Sequence, residues 1–231
     1  MVDKKQVVVL QPGYLPWLGF FDQMYKSDIF VIYDDVQFDK HGWRNRNRIK
    51  TAQGIQWLTV PVLTKGRDKP LINEVLINNN SDWRKAHFSS IKQNYSRTPF
   101  FSTYINVFEE IYSQEWEYLI DLDVTFIRVL MDKLNLNREI LFSSKLEVPE
   151  HKTHRLINIC VKLGATDYLT GKAAEDYIDE SLFNEKNIRL QYHNYTHPSY
   201  SQMYGDFIPF LSVVDLLFNH GPQSLEILIN K

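Results

Sequence analysis

The stretch from Val7 to Asp35, VVVLQPGYLPWLGFFDQMYKSDIFVIYDD, decides the fold of this chain. It begins with an apolar run, turns through two prolines, continues as an apolar segment of helical length and ends in a second apolar run. Short apolar runs without alternation are typical of strands that are covered on both faces. A strand, a helix and a second strand within about 30 residues predict a βαβ unit, and hence a parallel sheet with a right-handed crossover.

The same alternation returns in the last third of the sequence, with strand patterns at 140–142, 167–170 and 188–192 and helical patterns at 152–163 and 173–178. Apolar residues between these two regions recur at helical spacing. We therefore expect an α/β fold, a Rossmann-like parallel sheet with a helical insertion in the middle of the chain. The predicted parts of one compact domain are an N-terminal βα half with a ligand loop (1–80), the helical insertion (81–138) and a C-terminal βα half (139–231).

Composition narrows the class of protein. The 231 residues carry a formal net charge of −2, so no global positive field favours nucleic acid or an anionic membrane. The single cysteine, Cys160, is typical of a reducing compartment, and no apolar run approaches the roughly 18 residues of a membrane span. We expect a cytoplasmic protein with a small-molecule ligand. The 13 tyrosines and 5 tryptophans suit stacking on sugars and bases, or else a tyrosine-rich core.

The opening stretch also contains the first candidate site. Ligands of open parallel sheets bind beyond the carboxyl ends of the strands. Gln11 follows the first strand and the pair Asp34-Asp35 follows the second, so we expect the Gln11 amide, the Tyr14 ring and the carboxylates to converge on one crevice. Trp17 would stack on a ligand there, and one carboxylate would act as a general base. The alternatives are aromatic residues that plug the end of the sheet and an acidic pair that makes a turn or a cap.

A basic segment, HGWRNRNRIK at 41–50, gives the second candidate site. Its cations recur at every second residue, so on an extended chain they share one face, and the two asparagines take the other. Neither face is then expected to be a core. Guanidinium groups suit phosphate or carboxylate, which predicts a phosphorylated or carboxylated ligand; the alternative is a solvated basic strand. The residues concerned are Arg44, Asn45, Arg46, Asn47, Arg48 and Lys50.

Weaker signals lie further along the chain. Gly171 and Lys172 open a helical pattern after a strand, where free amides could hold an anion. A polar-aromatic loop with Tyr200 and Gln202 could close over the site, and Ser212-x-x-Asp215 predicts a helix capping box. His151 and His154 have the spacing of metal ligands but no third partner nearby in the sequence, so no metal site is predicted. Cys160 reads as a buried, inert thiol, and no role is assigned to His41.

Several segments together resemble the opening signature of the WbqC-like protein family, namely QPGYLPWLGFF, DIFVIYDDVQF, WRNRNRIK and WLTVPV. YLTGKAAEDYI and LSVVDLLFNHG are similar to that family's C-terminal landmarks, so the resemblance covers nearly the whole chain. A more distant resemblance is to the HxGH motif of nucleotidylyltransferases, with Trp17 and Phe20 in place of the histidines. The positions that match the WbqC-like signature are Gln11, Pro12, Tyr14, Pro16, Trp17, Gly19, Asp34, Asp35, Asn45, Arg46 and Ile49.

The family resemblance implies a function. Members are typically encoded among bacterial surface-polysaccharide biosynthesis genes, and some are described as glycine or aminoacyl transferases acting on amino sugars. It implies an acyl or aminoacyl transferase for a nucleotide-linked amino sugar of O-antigen, with an activated acyl donor and no required cofactor. In such an enzyme we expect Asp34 or Asp35 to be the catalytic base. Polysaccharide-biosynthesis enzymes or an acyl carrier would be its partners. The substrate-binding residues would be Gln11, Tyr14, Trp17, Gln37, Arg44, Asn45, Arg46, Arg48, Gly171, Lys172, Tyr200 and Gln202.

Two other functions are compatible with the same residues. A non-catalytic accessory protein would bind a sugar nucleotide and deliver it to a partner enzyme, and the lack of familiar nucleophile, base and metal motifs favours this alternative. A glycosyltransferase is disfavoured, because the sequence contains no DxD-type motif for a metal-bound diphosphate.

Overall fold

A five-stranded parallel sheet organises the first and last parts of the chain. The computed structural model describes residues 4–40, 42–63, 69–176 and 178–230, so His41 lies outside the described residues. In chain order the elements are β1 (Gln6–Leu10), α1 (Leu18–Lys26), β2 (Ile29–Ile32), β3 (Arg46–Thr51), β4 (Gly54–Thr59), β5 (Val62–Leu63), β6 (Leu76–Ile77), α2 (Trp83–Tyr95), α3 (Phe101–Ser113), α4 (Leu119–Lys133), β7 (Glu139–Phe142), α5 (Lys152–Lys162), β8 (Asp167–Gly171), α6 (Glu180–Glu185), β9 (Arg189–His193), α7 (Val213–His220) and α8 (Ser224–Leu228).

The strand order in the main sheet is β7-β2-β1-β8-β9, and every neighbouring pair is parallel. The chain builds outward from β1 to β2 and β7, then returns to the other side of β1 for β8 and β9. The order therefore reverses between β1 and β8, which is the topological switch point of a doubly wound sheet. This arrangement, with three helices inserted between β6 and β7, confirms the predicted fold class.

The chain forms two compact units. Unit 1 comprises residues 1–11, 22–35 and 138–196, and it contains the parallel sheet. Unit 2 comprises residues 12–21, 36–137 and 197–231. The two units do not follow the three consecutive parts expected from the sequence. Each unit is built from separate segments of the chain, and in unit 1 strands that are distant in sequence pair with each other. Among the described residues, no helix is long and apolar enough to cross a membrane.

One face of the sheet in unit 1 is covered by α5 and α6. Odd-numbered residues of β1 and β2 point to this face, as the period of a strand requires. Cys160 of α5 is fully buried in the same cluster, and burial raises the pKa of its thiol to about 12. A thiol with this pKa is protonated and unreactive at neutral pH. The core side chains include Val7, Val9, Ile29, Val31, Leu156, Ile157, Cys160, Tyr168 and Phe183.

Unit 2 combines an antiparallel hairpin with a helical core. Strands β3 and β4 pair from Arg46 opposite Thr59 to Thr51 opposite Gly54. Its helices meet through aromatic rings, for example Tyr95 of α2 stacked on Phe218 of α7 at 5.3 Å. These contacts account for part of the high aromatic content without any ligand.

The prediction of a helix at 173–178 is wrong. A short 3₁₀ helix spans Lys172–Asp176 instead, and Tyr177 lies outside the described residues. Forming the first turn of an α-helix is unfavourable, so a segment this short gains too few hydrogen bonds to extend it.

Candidate functional site

Two arginines and two tryptophans lie together in unit 2, three of them on the β3–β4 hairpin and one, Trp43, in the segment just before β3. The guanidinium of Arg46 lies 4.9 Å from the centre of the Trp57 ring, and that of Arg48 lies 5.7 Å from the same ring and 5.3 Å from Trp43. The two indoles are 5.1 Å apart and are 41% and 44% exposed for Trp43 and Trp57. We call these four residues the Arg–Trp surface. It presents flat aromatic faces and guanidinium groups to solvent.

Strand pairing explains this arrangement. Arg48 lies directly opposite Trp57 in the register of the hairpin, and directly opposed side chains of an antiparallel pair are near neighbours. Contacts with indole rings hold the arginine side chains in place before any ligand arrives. Less ordering entropy is then lost on binding.

The opposite face of this segment is a core, which corrects the expectation that neither face is buried. Asn45, Asn47 and Ile49 are buried. The Asn45 amide donates to the Val60 carbonyl at 2.8 Å, and the Asn47 amide donates to the Leu15 carbonyl at 2.7 Å. The two asparagines hold neighbouring backbone segments in place. The predicted alternation was right to put them on the face opposite Arg46 and Arg48.

Tyr14 lies inside unit 2 and has no exposed surface. Its hydroxyl is 2.9 Å from Nδ1 of His87 and also hydrogen-bonds the Tyr112 hydroxyl. Burial lowers the pKa of His87 to about 4, so this imidazole is neutral at pH 7. Burial also raises the pKa of Tyr14, with further contributions from Tyr112 and Asp123. In this structure the Tyr14 ring belongs to the core and does not offer a face for a ligand to stack on.

Trp17 and the segment before α7 adjoin the Arg–Trp surface. The Trp17 ring is half-buried and 5.6 Å from the Phe210 ring, which is 46% exposed. Nη2 of Arg48 donates to the Phe210 carbonyl at 2.7 Å. Phe210 thus extends the aromatic area that borders Arg48.

Tyr200 and Gln202 belong to the loop that leads to Phe210. The Gln202 side chain accepts from Nζ of the buried Lys50 at 3.1 Å and donates to the Ile208 carbonyl at 3.0 Å. Lys50 also donates to the Asp206 carbonyl at 2.5 Å. These bonds fix the loop, while Tyr200 is buried. Gln37 is exposed elsewhere in unit 2 and forms a β-bridge with Leu71.

Arg44 is partly buried beside the loop that follows β1. Its Nη1 donates to the Pro12 carbonyl at 3.0 Å, and its own carbonyl accepts from the Tyr14 amide at 3.0 Å. Burial lowers the pKa of Arg44, and the charges of Asp123 and Asp39 oppose that change. Arg44 therefore faces inward, and Arg46 and Arg48 are the arginines that form the Arg–Trp surface.

The acidic pair lies in unit 1, where it joins the ends of β2 and β7. Asp34, 4% exposed, accepts from the Ser143 hydroxyl at 3.0 Å and from the Ser144 hydroxyl and amide at 2.6 and 3.0 Å. Asp35 accepts from the Ser143 hydroxyl at 2.5 Å and forms an ion pair with Arg155. Both carboxylates thus have protein partners, which satisfies their buried oxygens.

The remaining predicted residues of unit 1 lie at the switch point of the sheet. Gln11 follows β1, and Gly171 ends β8, followed by the exposed Lys172. A β-carbon added to Gly171 would meet no atom of the described residues within 4 Å, so there is space beside this residue. This is the edge at which doubly wound sheets bind ligands.

A buried acid–base pair in unit 1 was not expected from the sequence. Nε2 of His193, at the end of β9, lies 2.5 Å from Oδ2 of Asp22, which Lys26 also contacts at 2.5 Å. Burial would raise the pKa of Asp22, but hydrogen bonds from His193 and Lys26 and their charges hold it below its usual value. The two residues are 171 positions apart, and no sequence pattern links them.

The sequence did contain a signal for Trp57, one of the two tryptophans that were missed. The segment Thr51–Gly54 separates two strand patterns, and Gly54 has a φ of +105°, which favours glycine. Treating it as a hairpin turn would have placed Trp57 opposite Arg48. For Ser143, Ser144 and Arg155, which contact the acidic pair, we find no comparable signal. Within the described ranges, no group of three or more His, Cys, Asp or Glu residues is arranged to hold a metal ion.

Comparisons with known proteins identify the family. A family model described as the WbqC-like protein family matches residues 11–227. The chain is 39% identical over 226 residues to a protein of Mycobacterium tuberculosis (strain ATCC 25618 / H37Rv) named "Uncharacterized protein Rv1507c", a match that covers 97% of both chains. The search of solved structures gives no significant match. The family match spans the Arg–Trp surface, the acidic pair and the switch point, and the chain belongs to the WbqC-like protein family.

Proposed function

We propose that this protein is an acyl or aminoacyl transferase that modifies a nucleotide-linked amino sugar in bacterial surface-polysaccharide (O-antigen) biosynthesis. The observation that carries the proposal is the Arg–Trp surface. Indole faces stack on bases and sugar rings, and guanidinium groups form charge-assisted hydrogen bonds with phosphate. A nucleotide sugar contains a base, a pyrophosphate and a sugar within one ligand, so it complements this combination of groups.

The reaction itself would be acyl transfer to nitrogen. The amine of the sugar attacks the carbonyl carbon of an activated acyl donor, the leaving group departs with its bonding electrons, and a base takes the ammonium proton. The proposed base is one of the two carboxylates, Asp34 or Asp35. Asp35 is the better candidate because its side chain is the more exposed of the two. No cofactor beyond the acyl donor is needed in this scheme.

The first test measures binding. We expect Trp57→Ala and Arg48→Ala each to weaken the affinity for UDP-glucosamine about tenfold in isothermal titration calorimetry, because a stacked ring or a charged hydrogen bond is worth roughly 1–3 kcal/mol. Tyr118→Ala is the matched control, since Tyr118 is another exposed aromatic residue of unit 2. Absence of binding to the wild-type protein, or equal affinities in all variants, would contradict a nucleotide-sugar site here.

A second candidate function is a non-catalytic sugar-nucleotide-binding accessory protein. The specific observation in its favour is that Asp34 and Asp35 both have hydrogen-bond partners within the protein. Such carboxylates suit the anchoring of β2 to β7, and the open switch-point edge would serve binding alone.

Mass spectrometry separates the two candidates. Wild-type protein incubated with UDP-glucosamine and activated acyl donors should add one acyl mass to the sugar nucleotide. Asp35→Asn should reduce this turnover at least about 100-fold while affinity changes little, as expected for loss of a general base. Asp132→Asn, an exposed aspartate of α4, is the control. Tight binding without any mass gain in the wild-type protein would favour the accessory role.

The proposal also covers the cellular location of the protein and its partners. We place the reaction in the cytoplasm, in keeping with the single buried thiol, and we expect polysaccharide-biosynthesis enzymes or an acyl carrier as partners. Gln11, Gly171 and Lys172 at the switch point are proposed to contribute to the binding of the phosphorylated substrate or donor.

A further inference from the structure

Ser144 lies at the carboxyl edge of the parallel sheet in unit 1, where it contacts Asp34. It is the second residue after β7, within a short 3₁₀ helix that spans Ser143–Lys145. Its hydroxyl donates to Oδ2 of Asp34 at 2.6 Å, and its amide donates to Oδ1 of the same carboxylate at 3.0 Å. Ser144 is half-buried, whereas Ser143 beside it has no exposed surface. Of the two serines, Ser144 is therefore the one that a ligand can reach.

The contact between Ser144 and Asp34 has the geometry of an activated nucleophile. Such sites place a hydroxyl within hydrogen-bond reach of a base, and a third group holds that base in orientation. The Ser143 hydroxyl lies 3.0 Å from Oδ1 of Asp34 and 2.5 Å from Oδ1 of Asp35, so it holds both carboxylates beside the same turn. Arg155 forms an ion pair with Asp35 and fixes it from the other oxygen. One hydroxyl and two oriented carboxylates thus lie together.

The position in the fold is also one that nucleophiles occupy. In α/β-hydrolases the catalytic serine lies on the turn between a strand and a helix, at the carboxyl edge of the sheet. Ser144 occupies the same kind of turn, because β7 ends at Phe142 and the 3₁₀ helix begins at the next residue. Residues 141–146, LFSSKL, lack the flanking glycines of the hydrolase motif, so the likeness is one of geometry alone.

We propose that Ser144 is the nucleophile of a covalent acyl-enzyme step and that Asp34 is its base. The substrate class is an activated acyl donor, so the inference rests on the acyl transfer proposed above. The Ser144 oxygen attacks the carbonyl carbon of the donor, Asp34 takes the hydroxyl proton, and the leaving group departs with the electrons of its bond to carbon. The product of this step is an ester of Ser144.

The ester then serves as the acyl donor for the amine. The amine nitrogen attacks the ester carbon, Asp35 takes the ammonium proton, and the Ser144 oxygen leaves and recovers its proton from Asp34. Release of the proton on Asp35 to water returns the enzyme to its starting state. Each carboxylate therefore acts in one step, and the donor reacts before the acceptor is present, whereas direct transfer needs both at once.

The first experiment omits the acceptor. Wild-type protein is incubated with p-nitrophenyl acetate, quenched in acid and mapped by peptide mass spectrometry. We expect an acetyl group on Ser144 and a reaction at Ser181 that is at least about tenfold slower. Ser181 is the matched control, because its hydroxyl also lies 2.6 Å from a carboxylate oxygen, that of the exposed Asp179. Asp34→Asn should slow the acetylation of Ser144 about 100-fold, as expected for loss of a general base.

Variants at the two serines complete this test. Ser144→Ala should lose the adduct at this position, and Ser181→Ala should keep it. Ser144→Cys serves if the alanine variant does not fold, since a thiol is smaller than most side chains and is itself a nucleophile. Cys160 does not interfere, because burial raises the pKa of its thiol to about 12. No acetyl group on residue 144 of the wild type and of Ser144→Cys would overturn the proposal, as would undiminished acetylation in Asp34→Asn.

Addition of UDP-glucosamine to the isolated acetyl-enzyme separates this proposal from the proposed function. Transfer of the acetyl group to the sugar nucleotide would support both, and Asp35→Asn should slow this step while it leaves the acetylation of Ser144 unchanged. An acetyl-enzyme that UDP-glucosamine does not discharge would keep Ser144 as nucleophile and contradict the amino-sugar acceptor. Transfer at the wild-type rate in Ser144→Ala would keep the proposed function and overturn the covalent step.

Discussion

At the scale of single residues, the predicted capping box before α7 shows how tertiary contacts reassign a side chain. Ser212 does cap the helix, and its hydroxyl accepts from the Val214 amide at 3.3 Å. The carboxylate of Asp215, expected to complete the box, instead accepts from the Tyr95 hydroxyl at 2.9 Å. Asp215 is fully buried, and burial raises its pKa to about 6 despite the hydrogen bond from Tyr95.

This raised pKa predicts the sign of a pH dependence. A group whose pKa is higher in the folded state stabilises the protein fully below its unfolded pKa of about 3.8, and that contribution is lost as pH rises through about 6. Asp215→Asn should therefore be more stable than the wild type above pH 7, by on the order of 2 kcal/mol, and nearly equal to it at pH 4. Urea denaturation at pH 4, 6 and 8 measures the difference. A difference that stays constant with pH would refute the assignment.

At the scale of secondary-structure elements, Gly19 near the start of α1 has an unusual constraint. Gly to Ala in a helix usually stabilises by roughly 0.5–1 kcal/mol. Here a β-carbon on Gly19 would lie 2.2 Å from the Trp17 ring, which contacts Phe210. Gly19→Ala should displace Trp17, lower the free energy of unfolding by roughly 1–3 kcal/mol and shift the tryptophan fluorescence.

Gly171→Ala is the matched control for this prediction. A β-carbon there meets no atom within 4 Å in the part of the chain that the structure describes, so chemical denaturation should show a change below about 0.5 kcal/mol. If Gly19→Ala is as stable as the wild type, the close contact with Trp17 does not restrict this position.

At the scale of the whole molecule, the parallel sheet joins distant parts of the chain. Gln6 of β1 pairs with Asp167 of β8, and β2 pairs with β7. A fragment of residues 1–137 would lack β7, β8 and β9 of unit 1 and α7 and α8 of unit 2. In the sheet, β1 would lose its partner β8 and β2 would lose its partner β7. We expect this fragment alone to show no cooperative thermal unfolding by circular dichroism, because long-range pairing supplies the stability of the sheet.

Co-expression provides the complementary measurement. Residues 1–137 and 138–231 produced together should co-purify and regain a cooperative transition, since the two pieces again supply all five strands. Cooperative unfolding of residues 1–137 alone would mean that a stable core needs neither the three missing strands nor α7 and α8.

Some features of this protein could be predicted from its sequence, and others only from its tertiary structure. Local periodicity in Val7–Asp35 was sufficient for the βαβ unit and the parallel sheet, because strand and helix patterns repeat over a few residues. The alternation in 44–50 likewise placed Arg46 and Arg48 on one face. The same patterns do not state which face is buried, so Asn47 was not recognised as a core residue.

The tertiary structure alone decided which distant residues meet. Tyr14 looked like a ligand-stacking residue, but its ring lies in the core of unit 2, where its hydroxyl forms hydrogen bonds with His87 and Tyr112, both far away in the sequence. The exposure of Trp57 and the burial of Asp123 depend in the same way on neighbours from other segments. Local sequence fixes the conformation of a segment, whereas burial and pairing are properties of the assembled core, which no short pattern encodes.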